Sequence, residues 1–268
     1  MTTPAVILAR GLGSRMRRAD GSSALETAQS AAADAGAKAM MPVGRPLLEH
    51  ILTALADAGI GEAVVVIGPE HGAVREHFAA HPPQRLRIRF AEQAQPLGTA
   101  DAVLAARDAV DGHDFLVLNG DTWYPPEVIR AVAAAPANAF GAFDADALLR
   151  GSNIPAERIL AFALCAVDAN GLLREIVEKP APDHPLAQAP SRIVSMNLWH
   201  LSAAIFDVLP QVRPSPRGEL EIQDAIRLLM QAGVPVRAVP ISAGVLDLST
   251  RADVATVTAR LAGRAVAY

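Results

Sequence analysis

The chain has 268 residues, is 51% hydrophobic and 19% charged, and carries a net charge of −4 with a pI near 6.0. This length can bury a sizeable core in one or two domains. The mild acidity excludes a general nucleic-acid or membrane-surface role, because those partners demand a basic face.

The first residues, MTTPAVILARGLGSR, lack the features of a secretory signal, and no later apolar run approaches a membrane span, so a cytoplasmic protein is expected. Ala5 to Ala9 predicts a buried strand. The Ala, Ser and Gly-rich segment 17–37 breaks the rhythm; it predicts an inserted helix starting after Ser22 or Ser23 and ended by Gly36, or else a flap over the site. Helices are predicted over Leu47 to Ala58, His71 to Ala79 and Thr99 to Ala109, alternating with strands at Ala63 to Ile67, Leu86 to Phe90 and Phe115 to Leu118. Further strands are expected in RILAFALCAV, GLLREIVEKP and SRIVSMNLWHL, then a helix-rich end from Glu219, interrupted by a strand at Val236 to Pro240. Cys165, the single cysteine, excludes an intrachain disulfide and a cysteine-based zinc site and reads as a small core residue. Such alternation predicts an α/β fold with a doubly wound, mostly parallel mixed sheet flanked by helices on both faces. One domain, 1–268, is expected, with its binding site beyond the carboxyl ends of the strands.

Only two lysines occur, Lys38 and Lys179, and every other cationic side chain outside the histidines is arginine. Each lies in a compact motif, KAMMPVGRPLLEH and EIVEKP. A compositional bias explains the arginines but not where the lysines survive; a compact ammonium that acts as a point charge on phosphate explains the placement. LARGLGSRMR follows the first strand, where Gly11 and Gly13 let backbone amides approach phosphate oxygens and Arg15 adds charge. It is neither a dinucleotide-binding turn, since Met16 takes the third glycine position and no helix clearly opens there, nor the lysine-bearing loop of nucleotide hydrolases.

Together, LARGLGSRM and KAMMPVGRPLLEH resemble the paired opening motifs of the sugar-1-phosphate nucleotidyltransferases, also called NDP-sugar pyrophosphorylases. The resemblance implies a Rossmann-like, GT-A-like nucleotidyltransferase fold and a reaction that joins a nucleoside triphosphate to a sugar 1-phosphate and releases pyrophosphate. It divides the domain into an NTP-binding half, 1–135, and a sugar-phosphate half, 136–268. Leu8, Ala9, Gly11, Gly13, Ser14 and Arg15 would hold the nucleotide, and Lys38 would contact phosphates at the reacting centre. In AEQAQPLGTADAV, Gln93, Gly98 and Thr99 match base-recognition residues, the Gln93 amide being able both to donate and to accept. Gly120 and Asp121 in VLNGDTWY, Glu178 and Lys179 in EKP, and Asn197 in SMNLW match sugar-phosphate and metal residues. GELEIQDAI resembles the acidic stretch G-E-[LY]-[QE]-[LI]-[TD]-D-[AV] before a helix. VLDLSTRADV is similar to the late D-x-G-T-x-x-D segment, where Asp247 would be the second metal carboxylate.

The implied catalytic set is Arg15, Lys38, Asp121 and Lys179, with Mg2+ on Asp121 and Asp247, since Mg2+ takes a few carboxylates plus phosphate and water. The ionised phosphate oxygen attacks without a strong base, so alignment and charge neutralisation are what the protein supplies. Three departures from the family pattern stand out: Arg10 beside the glycines, the long linker before Lys38, and Ser249 for glycine after Asp247. His71, His77 and His81 read as solvent-facing or turn residues rather than a metal cluster. The insertion and the VLDLSTRADV ending resemble the branch that activates valienol 1-phosphate with GTP, while hexose 1-phosphates with GTP, UTP or dTTP stay open. Alternative readings are a non-catalytic sugar-nucleotide-binding subunit, or a GT-A glycosyltransferase, which would carry D-x-D where this chain has Asp121, Thr122 and Trp123. Such enzymes often assemble as homo-oligomers.

Overall fold

The computed structural model describes residues 3–18 and 25–268. Among them a nine-stranded sheet forms the centre of the molecule. Its strands are β1 (Ala5–Leu8), β2 (Glu62–Ile67), β3 (Arg87–Glu92), β4 (Phe115–Asn119), β5 (Ala139–Asp144), β6 (Ala163–Val167), β7 (Leu173–Glu178), β8 (Ile193–Leu201) and β9 (Arg237–Ile241). The order is β7-β6-β8-β4-β1-β2-β3, with β5 paired to β8 and β9 to β5. β1, β2, β3 and β4 are parallel to one another, as are β5 and β9, whereas β7 and β8 run in reverse. The sheet is therefore mixed, with most strands in one direction.

Strand periodicity distributes each strand's side chains between two cores. Ile7, Val65 and Leu116 pack on one face, and Val6, Val64 and Val117 pack on the other. Burial on both faces explains the uninterrupted apolar runs VVVI and FLVL. β1 lies between β2 and β4, so the chain winds outward through β2 and β3 and returns on the far side of β1. That reversal opens a crevice beyond Leu8 and Asn119, which are register partners.

Several boundaries differ from the sequence reading. Strand β3 starts one residue later than predicted and continues to Glu92, delivering Gln93 to the crevice. The helix expected over Thr99 to Ala109 divides into Thr99–Ala105 and Arg107–Val110. RILA is a 3-10 turn within Ala156–Ala161, and the strand begins only at Ala163. β5, in AFGAFD, was not predicted. In the inserted segment the helix spans Thr27–Ala35 with Glu26 and Gln29 as a reciprocal capping box, and Gly36 ends it at φ 71°. Ser22 and Ser23, predicted as N-cap, lie outside the described residues. No helix among the described residues is long and apolar enough to cross a membrane.

Candidate active site

A cleft of about 300 Å³ opens at the switch point. It is lined by Leu8, Gly11, Gly13, Ser14 and Arg15 from β1 and the loop after it, by Lys38 and Asp121, by Gln93, Gly98 and Thr99, and by Lys179 and Asn197. Residues separated by more than 180 positions thus share one cavity. A short helix, Ser14–Arg17, does open directly after the glycine loop, with Gly13 preceding it at φ 59°. A Cβ at Gly13 would lie 2.6 Å from the Gly36 carbonyl oxygen, so the loop and the end of the inserted helix meet at backbone distance.

Lys38 opens a 3-10 turn, and its ammonium is ion-paired with Asp121 Oδ2. Asp121 follows β4 through Gly120, whose N–H donates to the Leu8 carbonyl at 2.9 Å. Ala9 lies beneath it, its own N–H donating to the Val66 carbonyl at 2.9 Å. An antiparallel ribbon pairs Thr122 with Asp247 and brings the second aspartate beside the first. Asp247 is buried; its Oδ2 accepts from Arg158 and, at 2.7 Å, from Ser249. Burial pushes the Asp247 carboxyl above its ordinary range; the Asp121 charge pushes it further, and Arg158, Ser249 and Lys38 oppose the rise. Ser249, the departure from glycine, therefore anchors this carboxylate with its hydroxyl.

The Oδ1 atoms of Asp121 and Asp247 both lie within 3.5 Å of the Thr122 hydroxyl, while the ion pairs with Lys38 and Arg158 engage the Oδ2 atoms. Two neighbouring carboxylates whose mutual repulsion shows in Asp247 fit a divalent ion completed by phosphate oxygens and water. Among the described residues no group of three or more His, Cys, Asp or Glu side chains is placed to cage a metal by itself.

Arg10 also lines the cleft, but its guanidinium is engaged within the protein. Its guanidinium forks onto Glu70 at 3.0 and 3.1 Å and donates to the Gln93 carbonyl. Gln93 is buried, and its amide nitrogen donates to the Gly98 carbonyl at 3.1 Å and to Asp101 at 2.8 Å. Its NH2 is thus spent inside the protein, and Oε1 is the group left for a base, narrower than the dual role read from sequence. Gly98 has φ 129°, and a Cβ there would approach Leu220 backbone atoms within 2.5–2.6 Å. The Leu220 N–H donates to Leu97, and its carbonyl accepts from Ala100 at 2.8 Å. The GELEI stretch is therefore laced to the loop at Gly98, and Glu219 joins the cleft lining.

β8 bulges where Met196, Asn197 and Leu198 face a single residue of β5. Asn197 takes φ 58°, which turns its side chain into the cleft, and the buried Tyr124 hydroxyl donates to the freed Met196 carbonyl. Lys179 also has positive φ, 48°, and its ammonium is 3.6 Å from Glu178. Glu178 itself faces a neighbouring cavity, where Arg217 stands 3.8 Å away. Burial raises the Glu178 carboxyl pKa, opposed by Lys179.

His71 lies in a turn, its N–H donating to the Gly68 carbonyl and its Nδ1 accepting from the Gly68 N–H, whereas His77, only partly exposed, hydrogen-bonds the buried Glu49 at 2.7 Å. Sequence reasoning missed Arg158, Asn119, Asp101 and Gln223. Arg158 and Gln223 carry no local signal beyond their charge or amide, although Gln223 lies in the recognised GELEIQDAI motif.

A nucleotidyl transferase family model matches residues 32–258. A low-salt glycan biosynthesis nucleotidyltransferase of Haloferax volcanii is 30% identical over 233 residues, 86% of this chain and 58% of the relative. A UTP–glucose-1-phosphate uridylyltransferase of the same organism is 28% identical over 250 residues, 93% of this chain and 92% of the relative. This chain thus spans little more than half of the first relative and nearly all of the second. A UDP-glucose pyrophosphorylase solved with UDP-glucose superposes with a TM-score of 0.75 at 16% identity, covering 97% of this chain and 98% of the other, and shares the fold.

Proposed function

The chain belongs to the nucleotidyl transferase family, and from that premise we propose that it joins a nucleoside triphosphate to a sugar 1-phosphate, or a sugar-like cyclitol 1-phosphate. The observation that carries this reading is the Lys38–Asp121 ion pair at the switch point, sharing one cleft with the glycine loop and Lys179. An ionised oxygen of the acceptor phosphate forms a bond to the α-phosphorus; the bond from that phosphorus to the bridging oxygen breaks, and pyrophosphate leaves with the electron pair. No proton need be removed by the protein.

Backbone amides of Gly11 and Gly13, with Arg15, hold the departing phosphates, and Gln93, Gly98 and Thr99 hold the base. Lys38 and Lys179 restrain the attacking phosphate, and Asn197 orients the ring that bears it, with Glu178 supporting Lys179. Asp121 and Asp247 would hold Mg2+, which when bound supplies charge neutralisation at the α-phosphate. The reading places the activity in the cytoplasm, where nucleoside triphosphates are abundant, and includes a homo-oligomeric state measurable by light scattering.

Pyrophosphate release across a matrix of GTP, UTP, dTTP, ATP and CTP against sugar and cyclitol 1-phosphates tests the proposal. UTP with glucose 1-phosphate is the first pair to assay, because the relative matched over 92% of its length is named for it; GTP with valienol 1-phosphate is the second. Turnover of one pair, abolished by Asp121→Ala, is expected. Absence of pyrophosphate with every pair would overturn the assignment.

A further inference from the structure

Gln223 occupies the one position of GELEIQDAI where the family pattern carries Thr or Asp, and it is only 2% exposed. Its hydrogen bonds identify every atom of the amide pair it forms with Asn197. The indole N–H of Trp199 can only donate, so the Asn197 atom 3.4 Å from it is the carbonyl Oδ1. The Gln223 atom 2.9 Å from that oxygen must then also be a donor, Nε2. Two donors thus hold Oδ1 against the protein, and Asn197 Nδ2 is left toward the cleft, with only a 3.5 Å contact to Asn119. Gln223 Oε1 is buried without a hydrogen-bond partner.

We propose that Gln223 is a positioning residue that fixes the polarity of Asn197, so that the acceptor wall presents an N–H donor. The wall then selects a 1-phosphate bearing a hydroxyl oxygen opposite Asn197 over one bearing a protonated amine, which has no lone pair to accept with. This inference rests on the sugar-phosphate reading of the cleft and deepens it.

Pyrophosphate release with glucose 1-phosphate and glucosamine 1-phosphate as acceptors tests it in wild type, Gln223→Glu, Gln223→Met, Asn197→Ala and the Asn197→Ala/Gln223→Met double variant. Gln223→Glu replaces the donor with an acceptor oxygen that repels Asn197 Oδ1, setting this side chain against the orientation Trp199 still favours. The KM for glucose 1-phosphate should rise about 10- to 100-fold, with the KM for NTP unchanged within about 2-fold and the kcat/KM ratio shifted toward the amine. Gln223→Met, near the size of glutamine and uncharged, should raise the acceptor KM more mildly and serves if the carboxylate variant does not fold. In the Asn197→Ala background it should add nothing, because a residue that acts through Asn197 has nothing left to position. An unchanged acceptor KM in both single variants, or an equal increase in the Asn197→Ala background, would overturn the inference while leaving the parent reading intact. A wild type inert toward every NTP and acceptor would remove the parent reading instead.

Discussion

Arg158→Met is the most informative perturbation of the carboxylate pair. The guanidinium is 18% exposed and bridges two aspartates that are nearly inaccessible, pairing with Asp247 and reaching Asp253 at 2.8 Å. Methionine fills similar volume but leaves both carboxylates without a cation, one of them beside Asp121. Breaking a buried ion pair from one side costs about 3–5 kcal/mol, and partial exposure of the arginine places this case at the lower end, about 3 kcal/mol. For a domain of this size that is roughly 6–12 °C in Tm. Urea titration and calorimetry measure it against wild type.

The pH dependence provides the sharper test. Burial and Asp121 raise the Asp247 carboxyl above its unfolded value, so ionising it destabilises the fold. The penalty develops as pH rises from the unfolded toward the folded pKa and persists above it. Without Arg158 the folded pKa rises further, so the gap between variant and wild type should narrow as pH falls from 7 toward 4. A divalent ion in millimolar excess should narrow it at pH 7 by neutralising the same carboxylates. A deficit below about 1 kcal/mol, or one independent of pH, would refute the account of Arg158 as a counter-charge.

Lys38→Arg preserves the charge but replaces a compact ammonium with a wider planar fork in the cleft, where the lysine Cε already lies 3.9 Å from the place of a Gly11 Cβ; kcat should fall about 10²- to 10³-fold in steady-state assays, and near-normal turnover would deny Lys38 its special status. Gly98→Ala drives a methyl group into the Leu220 backbone at a positive φ and should destabilise the fold by about 1–3 kcal/mol in urea titrations, with a raised KM for NTP as the base loop parts from the GELEI stretch. Burial alone would raise the Glu49 carboxyl, but hydrogen bonds from Arg45 and His77 outweigh it and hold it below the usual carboxylate range. That stabilisation is present above the unfolded pKa and lost as pH falls through the folded one, so the stability lost in Glu49→Gln at pH 7 should diminish in strongly acidic urea titrations.

Much of the site was legible because its chemistry lies in short contiguous motifs. Gly11 and Gly13 follow a strand that burial on both faces makes visible, and Asp121 ends an equally apolar one. Strand β5 escaped because AFGAFD has neither polar alternation nor a long β-branched run, and its place between β8 and β9 depends on pairing with both. Arg158 is read as one arginine among many until the ribbon carrying Asp247 folds against it. The orientations of Gln93 and Asn197 were illegible for a related reason. An amide donates and accepts equally well, and the choice between its two ends is made by Asp101 in one case and by Gln223 with Trp199 in the other.

The order of residues along the chain determined which segments become strands, where backbone can bend tightly, and which side chains carry compact positive or negative charge, because those properties depend on near neighbours and side-chain chemistry. Folding alone decided which charges meet, Lys38 with Asp121 and Asp247 with Arg158, and which backbones meet, Leu220 with the turn at Gly98. Such pairings join positions far apart in sequence, and their energies depend on burial and distance, quantities that exist only once the sheet has closed around them.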